Sequence, residues 1–141
     1  MPAIGWDIGG VNTKVAHVDG GAVLSVRGRP YEIQRDPRAL VPLLLQMRDD
    51  VGAADAIPHA VTMTAELSQI FRTKREGVRF VIHAMETAFP AANIHVYTVD
   101  GLFLSPADAC EQAGDAESSS SAHHGQTTSL EFSREYFSLG R

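Results

Sequence analysis

The sequence has a single cysteine, no apolar run of membrane-spanning length and no targeting segment at its start. With Cys110 alone among 141 residues, no disulfide can form within the chain. No reactive motif surrounds Cys110, so we expect a small buried side chain there rather than a nucleophile. The first residues lead directly into a strand pattern, without the basic segment and apolar core of a signal peptide. These absences favour a cytoplasmic protein with no membrane partner.

Basic residues are also scarce in this sequence. Lys and Arg together number 12, against 17 Asp and Glu, which gives a formal net charge of -5. Because no basic stripe is available to displace counterions from a phosphate backbone, nucleic acid is not expected as a partner. The chain does have 44% hydrophobic residues, which is enough for the core of one ordinary domain. Composition leaves homo-oligomerisation open.

The stretch from residue 4 to residue 16 has the pattern of a strand, a tight turn and a second strand. Ile4, Trp6 and Ile8 alternate with small or polar residues, and a second alternating run begins at Val15. A period of two residues is that of a pleated strand with one buried face. The turn between the two strands is where we look for chemistry.

The turn contains residues that are suited to binding an anion. Glycines at positions 9 and 10 permit positive φ and have no Cβ, so the backbone N–H groups of residues 9–13 can close around a phosphate oxygen. Asn12 and Thr13 add side-chain donors, and Lys14 adds a positive charge. We therefore predict that Gly9, Gly10, Asn12, Thr13 and Lys14 bind a phosphate or pyrophosphate group of a small phosphorylated partner molecule.

Asp7, at the end of the first strand, needs a separate explanation because a carboxylate repels a neighbouring phosphate. A Mg²⁺ held through water between the two anions removes this repulsion, so we predict Asp7 as a metal ligand and Mg²⁺ as a cofactor. The alternative is a plain β-hairpin whose glycines serve only the turn. The order of hydrophobic strand, Asp, Gly-Gly, hydroxyl residue and Lys resembles the first phosphate loop of the actin, sugar-kinase and heat-shock chaperone superfamily. This order favours the phosphate site.

The rest of the first 111 residues predicts a third antiparallel strand and then alternating helices and strands. Asp19-Gly20-Gly21 is a turn signal that leads into the third strand, at residues 22–26. Strands at 59–64 and 94–99 each follow a helix, which is typical of parallel strands. The helices are indicated by Asp36-Pro37, with a kink or a start at Pro42, by a capping box of Thr73 and Glu76, and by Ser105-Pro106. The order βββαβαβα, with a mixed five-stranded sheet, predicts a ribonuclease-H-like α/β lobe over residues 1–111.

The sequence changes character over residues 112–141. A serine run at 118–121 is followed by a histidine pair, and no sustained period places the last stretch on a core. We predict a disordered tail for this segment. The adjacent histidines lack the spacing of a specific metal site.

Four separate stretches carry a resemblance to a known family. They are GWDIGGVNTK at 5–14, VTMTAEL at 61–67, TKREGV at 73–78 and VDGLFLSP at 99–106. Together they resemble the tetrahydromethanopterin-linked one-carbon transfer pathway proteins, whose archaeal members are methanofuran-biosynthesis synthases, and they also resemble the hydantoinase A and oxoprolinase group. The resemblance covers residues 4 to about 110.

The resemblance implies a transferase that joins an aminomethylfuran diphosphate to the phenol of glutamyl-tyramine, releasing pyrophosphate. Asp7 with Mg²⁺ and the turn would then stabilise the departing pyrophosphate. Glu66 would act as the base toward the phenol or bind the ammonium group. It follows Thr64, a candidate substrate-binding residue that ends a parallel strand, and we expect Thr64 and Asp7 to lie at the same edge of the sheet, where ligands of open α/β sheets bind. Lys74 and Arg75 are candidates for further phosphate contacts, and a solvated first helical turn is the alternative for them.

One feature of the superfamily, a second Asp-Ile-Gly-type phosphate loop, is missing from this sequence. We therefore expect a truncated or frame-shifted product that is inactive alone. Three readings remain open: the phosphate-binding lobe of a methanofuran-type synthase, an ATP-dependent kinase-like relative, and an inactive fragment or interaction module. Titration with ATP against pyrophosphate separates the first two.

Overall fold

The computed structural model describes residues 1–54, 56–65, 69–98 and 101–118, and within them a mixed sheet and three α-helices. The strands are β1 (Pro2–Ile8), β2 (Asn12–Asp19), β3 (Ala22–Pro30), β4 (His59–Met63), β5 (Ile94–Tyr97) and β6 (Phe103–Leu104). The helices are α1 (Leu40–Asp50), α2 (Lys74–Ala88) and α3 (Pro106–Ser118), with a 3-10 turn at Pro37–Ala39 before α1. The strand order in the sheet is β3-β2-β1-β4-β5-β6. This is the expected ribonuclease-H-like α/β lobe.

The first three strands form an antiparallel meander, as the alternating pattern predicted. Asp19 pairs with Ala22, so the β2–β3 turn has two residues, Gly20 and Gly21, with φ of 57° and 80°. Positive φ at both central residues matches the right-handed twist of a hairpin, and glycine adopts it without strain. β3 continues to Pro30, beyond the residue 26 at which we expected it to end.

β4 and β5 extend the sheet in parallel with β1. Ile8 is the register partner of Met63, and Val61 is that of Val96. The prediction of five strands was one strand short, because Phe103–Leu104 pairs antiparallel with β5. Gly101, at φ 78°, lies in the turn between β5 and β6.

The helix starts agree in part with the capping signals. The backbone N–H of Glu76 donates to Thr73 Oγ1 at 3.1 Å, and that of Asp108 donates to Ser105 Oγ at 3.2 Å. Asp36, in contrast, makes no side-chain cap hydrogen bond. Pro42 lies in the first turn of α1, where backbone N–H groups have no helical partner, so the proline marks a helix start rather than a kink.

One face of the sheet packs against the helices and forms the core. Trp6 lies at its centre, where Nε1 donates to His59 Nδ1 at 3.0 Å. The Phe89 ring, just after α2, lies 4.3 Å from the His59 ring and 5.6 Å from the Trp6 ring, centroid to centroid. Buried side chains that share this core include Ile4, Ile8, Val15, Ile33, Leu40, Leu44, Met47, Val61, Val81 and Met85.

The predicted end of the lobe, at residue 111, falls inside helix α3. α3 continues to Ser118, past the boundary at residue 112, and Ala113 is buried. Residues 119–141, on which most of the predicted disordered tail falls, lie outside the described residues. Among the described residues, no helix is both long and apolar enough to span a membrane.

Candidate functional site

Asp7 lies on the face of the sheet opposite the helix-covered core. In strand β1 it alternates with the buried Trp6 and Ile8, so its side chain points the other way. Its register partners are Lys14 on β2 and Thr62 on β4. Side chains directly opposite on neighbouring strands have their Cβ atoms roughly 5 Å apart. Asp7 is therefore flanked by an ammonium-bearing side chain on one side and a hydroxyl on the other.

Thr64 joins this group at the carboxyl end of the parallel strands. Its backbone N–H donates to the carbonyl of Ile8 at 2.9 Å. Its Oγ1 lies 3.5 Å from the position that a Cβ on Gly9 would take. We predicted that Asp7 and Thr64 lie at the same edge of the sheet, and the register of β1 with β4 confirms it.

The turn between β1 and β2 is built differently from the loop that we expected. Neither Gly9 nor Gly10 adopts positive φ. The Gly9 N–H donates to the carbonyl of Asn12 at 2.9 Å, which closes the hairpin and removes that N–H from any anion site. Glycine is required at position 9 by space, because a Cβ there would lie 2.8 Å from the Asn12 carbonyl oxygen.

The outer part of the turn keeps donors that could meet an anion. Within the described residues, the backbone N–H groups of Gly10 and Val11 have no hydrogen-bond partner. Their carbonyls are occupied, because Gly10 O accepts from the N–H of Ile33 at 3.2 Å and Val11 O accepts from the N–H of Tyr31 at 3.0 Å. Sequence reasoning missed Tyr31 and Ile33, since a backbone contact across the chain leaves no side-chain signature.

Thr13, which we predicted as a side-chain donor of the turn, is buried in the structure. The residue is fully buried, and it is the register partner of Ile8, so it faces the core rather than Asp7. Its Oγ1 has no hydrogen-bond partner among the described residues. The alternation of β2 explains this, because adjacent residues point to opposite faces and Lys14 takes the Asp7 side. Asn12, one residue earlier, is exposed beside the turn.

Lys14 is placed to supply positive charge beside Asp7. It is partly buried, and a Cβ added to Gly28 on β3 would lie 3.7 Å from Lys14 Cγ, so the lysine stem runs over a glycine gap. Among the described residues, Lys14 forms no ion pair. Its ammonium group is therefore available to an anion at this edge.

Two of the remaining predicted site residues lie in α2, and the third lies outside the described residues. Lys74 and Arg75 occupy the first turn of α2, which begins on the side of the sheet where β4 ends. Lys74 is exposed and Arg75 is partly buried, and their predicted phosphate contacts stay predictions. Glu66, the predicted base or ammonium ligand, lies outside the described residues.

The site has no ready-made cluster of metal ligands in the part of the chain that the structure describes. No three His, Cys, Asp or Glu residues there are grouped to hold a metal ion. Asp7 is the single acidic side chain found beside the turn in the described strands. A cation at this edge would need ligands from water or from a bound phosphate as well.

Comparisons with known proteins find a relative by sequence and weak likenesses among solved structures. No protein-family model matches the chain. The chain is 32% identical over 116 residues to the (4-{4-[2-(gamma-L-glutamylamino)ethyl]phenoxymethyl}furan-2-yl)methanamine synthase of Methanocaldococcus jannaschii. The match covers 82% of this chain and 33% of that protein, so the chain spans about a third of its relative's length.

Two of the structural likenesses are to proteins from Aquifex aeolicus. One is the PPX-GPPA enzyme, with 12% identity and a TM-score of 0.40 over 68% of this chain and 36% of the other. The second is the Ppx/GppA family member from the same organism, with 13% identity and a TM-score of 0.35 over 68% of this chain and 35% of the other.

Proposed function

We propose that this chain is the phosphate-binding lobe of a methanofuran-type synthase, because 82% of it matches the furan-2-yl-methanamine synthase of Methanocaldococcus jannaschii. The relative's name describes a synthase whose product is an ether between a phenol and a methylene group on a furan. Under this proposal the chain takes the phosphorylated furan partner, and its turn holds the diphosphate group.

The observation that carries the proposal is the combination of charges and donors around Asp7. Lys14 lies beside Asp7 on β2, and Thr64 lies at the end of the neighbouring parallel strand. The unpartnered backbone N–H groups of Gly10 and Val11 lie in the turn that follows β1. In open α/β sheets ligands bind outside the carboxyl ends of the strands, which is this edge. A plain hairpin does not require a carboxylate, a lysine and two free donors at one place.

The proposed reaction forms one carbon–oxygen bond and breaks another. The phenol oxygen attacks the methylene carbon on the furan, and the bond from that carbon to the diphosphate oxygen breaks. The electron pair leaves with the diphosphate, so negative charge grows there in the transition state. Lys14 and the N–H groups of Gly10 and Val11 would offset this growing charge. The phenol proton goes to a base, for which Glu66 is the candidate by resemblance.

Mg²⁺ fits the donor set at this edge of the sheet. The ion keeps several waters and commonly uses one or two carboxylates together with substrate phosphates, so a cluster of protein ligands is not needed. Asp7 is a partly buried carboxylate at the right edge for this role. When bound, Mg²⁺ would supply positive charge between Asp7 and the diphosphate.

Calorimetry with the full chain tests the proposed function. Titration with pyrophosphate should show binding that depends on Mg²⁺, and Asp7→Asn should weaken that binding because the carboxylate that holds the cation is lost. Parallel titration with ATP distinguishes a kinase-like relative, which should prefer the nucleotide. If pyrophosphate binding is absent, or is unaffected by both Asp7→Asn and removal of Mg²⁺, the turn is a plain hairpin and the proposal fails.

A further inference from the structure

The segment that follows β3 holds the β1–β2 turn through two backbone hydrogen bonds. Tyr31 N–H donates to the carbonyl of Val11 at 3.0 Å, and Ile33 N–H donates to the carbonyl of Gly10 at 3.2 Å. Both of these hydrogen bonds join backbone groups, so they do not depend on the side chains of the segment. We call residues 31–33 the turn anchor.

The turn anchor fixes the direction in which two N–H groups of the turn point. In a trans peptide unit the carbonyl of one residue and the N–H of the next point in opposite directions. The Gly10 carbonyl points to Ile33, so the N–H of Val11 points away from the anchor. The Val11 carbonyl points to Tyr31, so the N–H of Asn12 points away as well. The two hydrogen bonds to the turn anchor therefore orient the N–H groups of Val11 and Asn12 away from the anchor.

The anchor itself is held firmly by the core. Ile33 is fully buried and Tyr31 is 9% exposed, whereas Val11 in the turn is 62% exposed. The Tyr31 hydroxyl donates to the carbonyl of Asp36 at 2.8 Å, and burial raises the pKa of that hydroxyl to about 12, so the hydroxyl stays a donor at neutral pH. The backbone N–H groups of residues 35 and 36 both donate to the carbonyl of Glu32. An exposed turn is thereby tied to a buried, internally bonded segment.

We infer that Tyr31 and Ile33 are positioning residues of the anion site, because their backbone N–H groups hold the two peptide units that flank Val11 and so preorganise the Val11 N–H for an anion. The inference rests on the proposed function and adds to it residues that touch neither anion nor metal. Donors fixed before binding need no reorganisation when negative charge arrives, which is why preorganised N–H groups are effective. A turn without the anchor would present the same donors over a wider range of directions.

Replacing single backbone amides by esters in the full chain tests this role. An α-hydroxy acid at position 31 or 33 removes one N–H donor and keeps the side chain. The matched control is the same replacement at position 32, because the Glu32 N–H has no hydrogen-bond partner among the described residues. Pyrophosphate affinity with Mg²⁺ is measured by calorimetry. Thermal unfolding and the amide ¹H shift of Val11 in the bound state are measured in parallel.

We expect the esters at 31 and 33 to weaken pyrophosphate binding by about tenfold relative to the control ester, the scale of one hydrogen bond to a charged group. The bound-state Val11 amide shift should also move toward its free value in these two variants. Equal affinity in all three esters, or losses that follow only the unfolding temperature, would overturn the positioning role while leaving the proposed function intact. If the unmodified chain fails to bind pyrophosphate, the proposed function falls and the positioning role falls with it.

Discussion

His59 is a buried histidine whose imidazole lies beside the rings of Trp6 and Phe89. Trp6 Nε1 donates to its Nδ1, so the proton of the neutral ring is on Nε2, which has no partner among the described residues. Burial, and then the positive charge of Arg48, lowers the pKa of His59 from 6.5 to about 4. The folded state therefore keeps this ring neutral, while the unfolded state takes up a proton below pH 6.5.

This difference predicts a loss of stability on mild acidification. The stabilising contribution is fully present above pH 6.5 and is lost as the pH falls toward 4. By pH 5 the free energy of unfolding should be about 2 kcal/mol lower than at pH 7 from this group alone. Denaturant unfolding at both pH values measures it, with His59→Gln as the comparison. The variant should lose less stability between the two pH values, and an equal loss would show that another group is responsible.

Gly9 and Gly10 are adjacent glycines whose replacement should have different effects on stability. A Cβ at Gly9 would lie 2.8 Å from a backbone oxygen, whereas a Cβ at Gly10 would meet nothing within 4 Å. Gly9→Ala should therefore lower the free energy of unfolding by about 1–3 kcal/mol, the cost of forcing extra atoms into a filled site. Gly10→Ala should be close to neutral. Chemical denaturation of both variants measures the difference, and equal stabilities would contradict the close approach.

At the residue scale, the sequence predicted side-chain direction better than hydrogen-bond partners. Alternation along β1 predicts that Asp7 and the buried Trp6 point to opposite faces of the sheet, and they do so in the structure. The same rule applied to β2 turns Thr13 toward the core, although we grouped this residue with the donors of the turn. The partners of the Gly10 and Val11 carbonyls were out of reach, because no side chain of Tyr31 or Ile33 takes part.

Helix α2 offers a direct test of how its start is stabilised. Thr73 Oγ1 accepts from the Glu76 N–H, and a carboxylate oxygen of Glu76 accepts from the Arg72 N–H. Thr73→Ala removes the first bond and should lower the free energy of unfolding by about 1 kcal/mol. Thr87→Ala is the matched control, because its hydroxyl donates only to the His83 carbonyl of its own helix. A similar loss in both variants would show that the cap contributes nothing specific.

Elements with a local chemical signal were the ones that sequence reasoning found. The capping residues Thr73 and Ser105 and the Gly20-Gly21 hairpin each satisfy a local backbone requirement, so the pattern alone indicates them. β6 was missed because two residues are too short to show a period, and its pairing depends on contact with β5. The Phe103 ring lies 5.1 Å from that of Tyr97, a contact that only the folded hairpin creates.

At the scale of the whole molecule, the two faces of the sheet have different roles. One face carries the apolar core with Trp6, and the other carries Asp7 and Lys14. Side chains of β1 alternate between the two faces, so the same strand contributes residues to the core and to the candidate site. The relative directions of β1 to β5 could be predicted from the succession of elements, since the helices before β4 and β5 favour strands that run parallel to β1, whereas the place of β6 could not.

The central claim, that the turn after β1 binds pyrophosphate, is tested most directly by mapping backbone amide shifts on the full chain. Saturating pyrophosphate with Mg²⁺ should move the amide protons of Gly10 and Val11 downfield, because their free N–H groups gain a charged acceptor. The turn at Gly20 and Gly21, at the other end of β2, serves as an internal control and should not respond. Unchanged shifts at Gly10 and Val11, or equal shifts at both turns, would contradict the account.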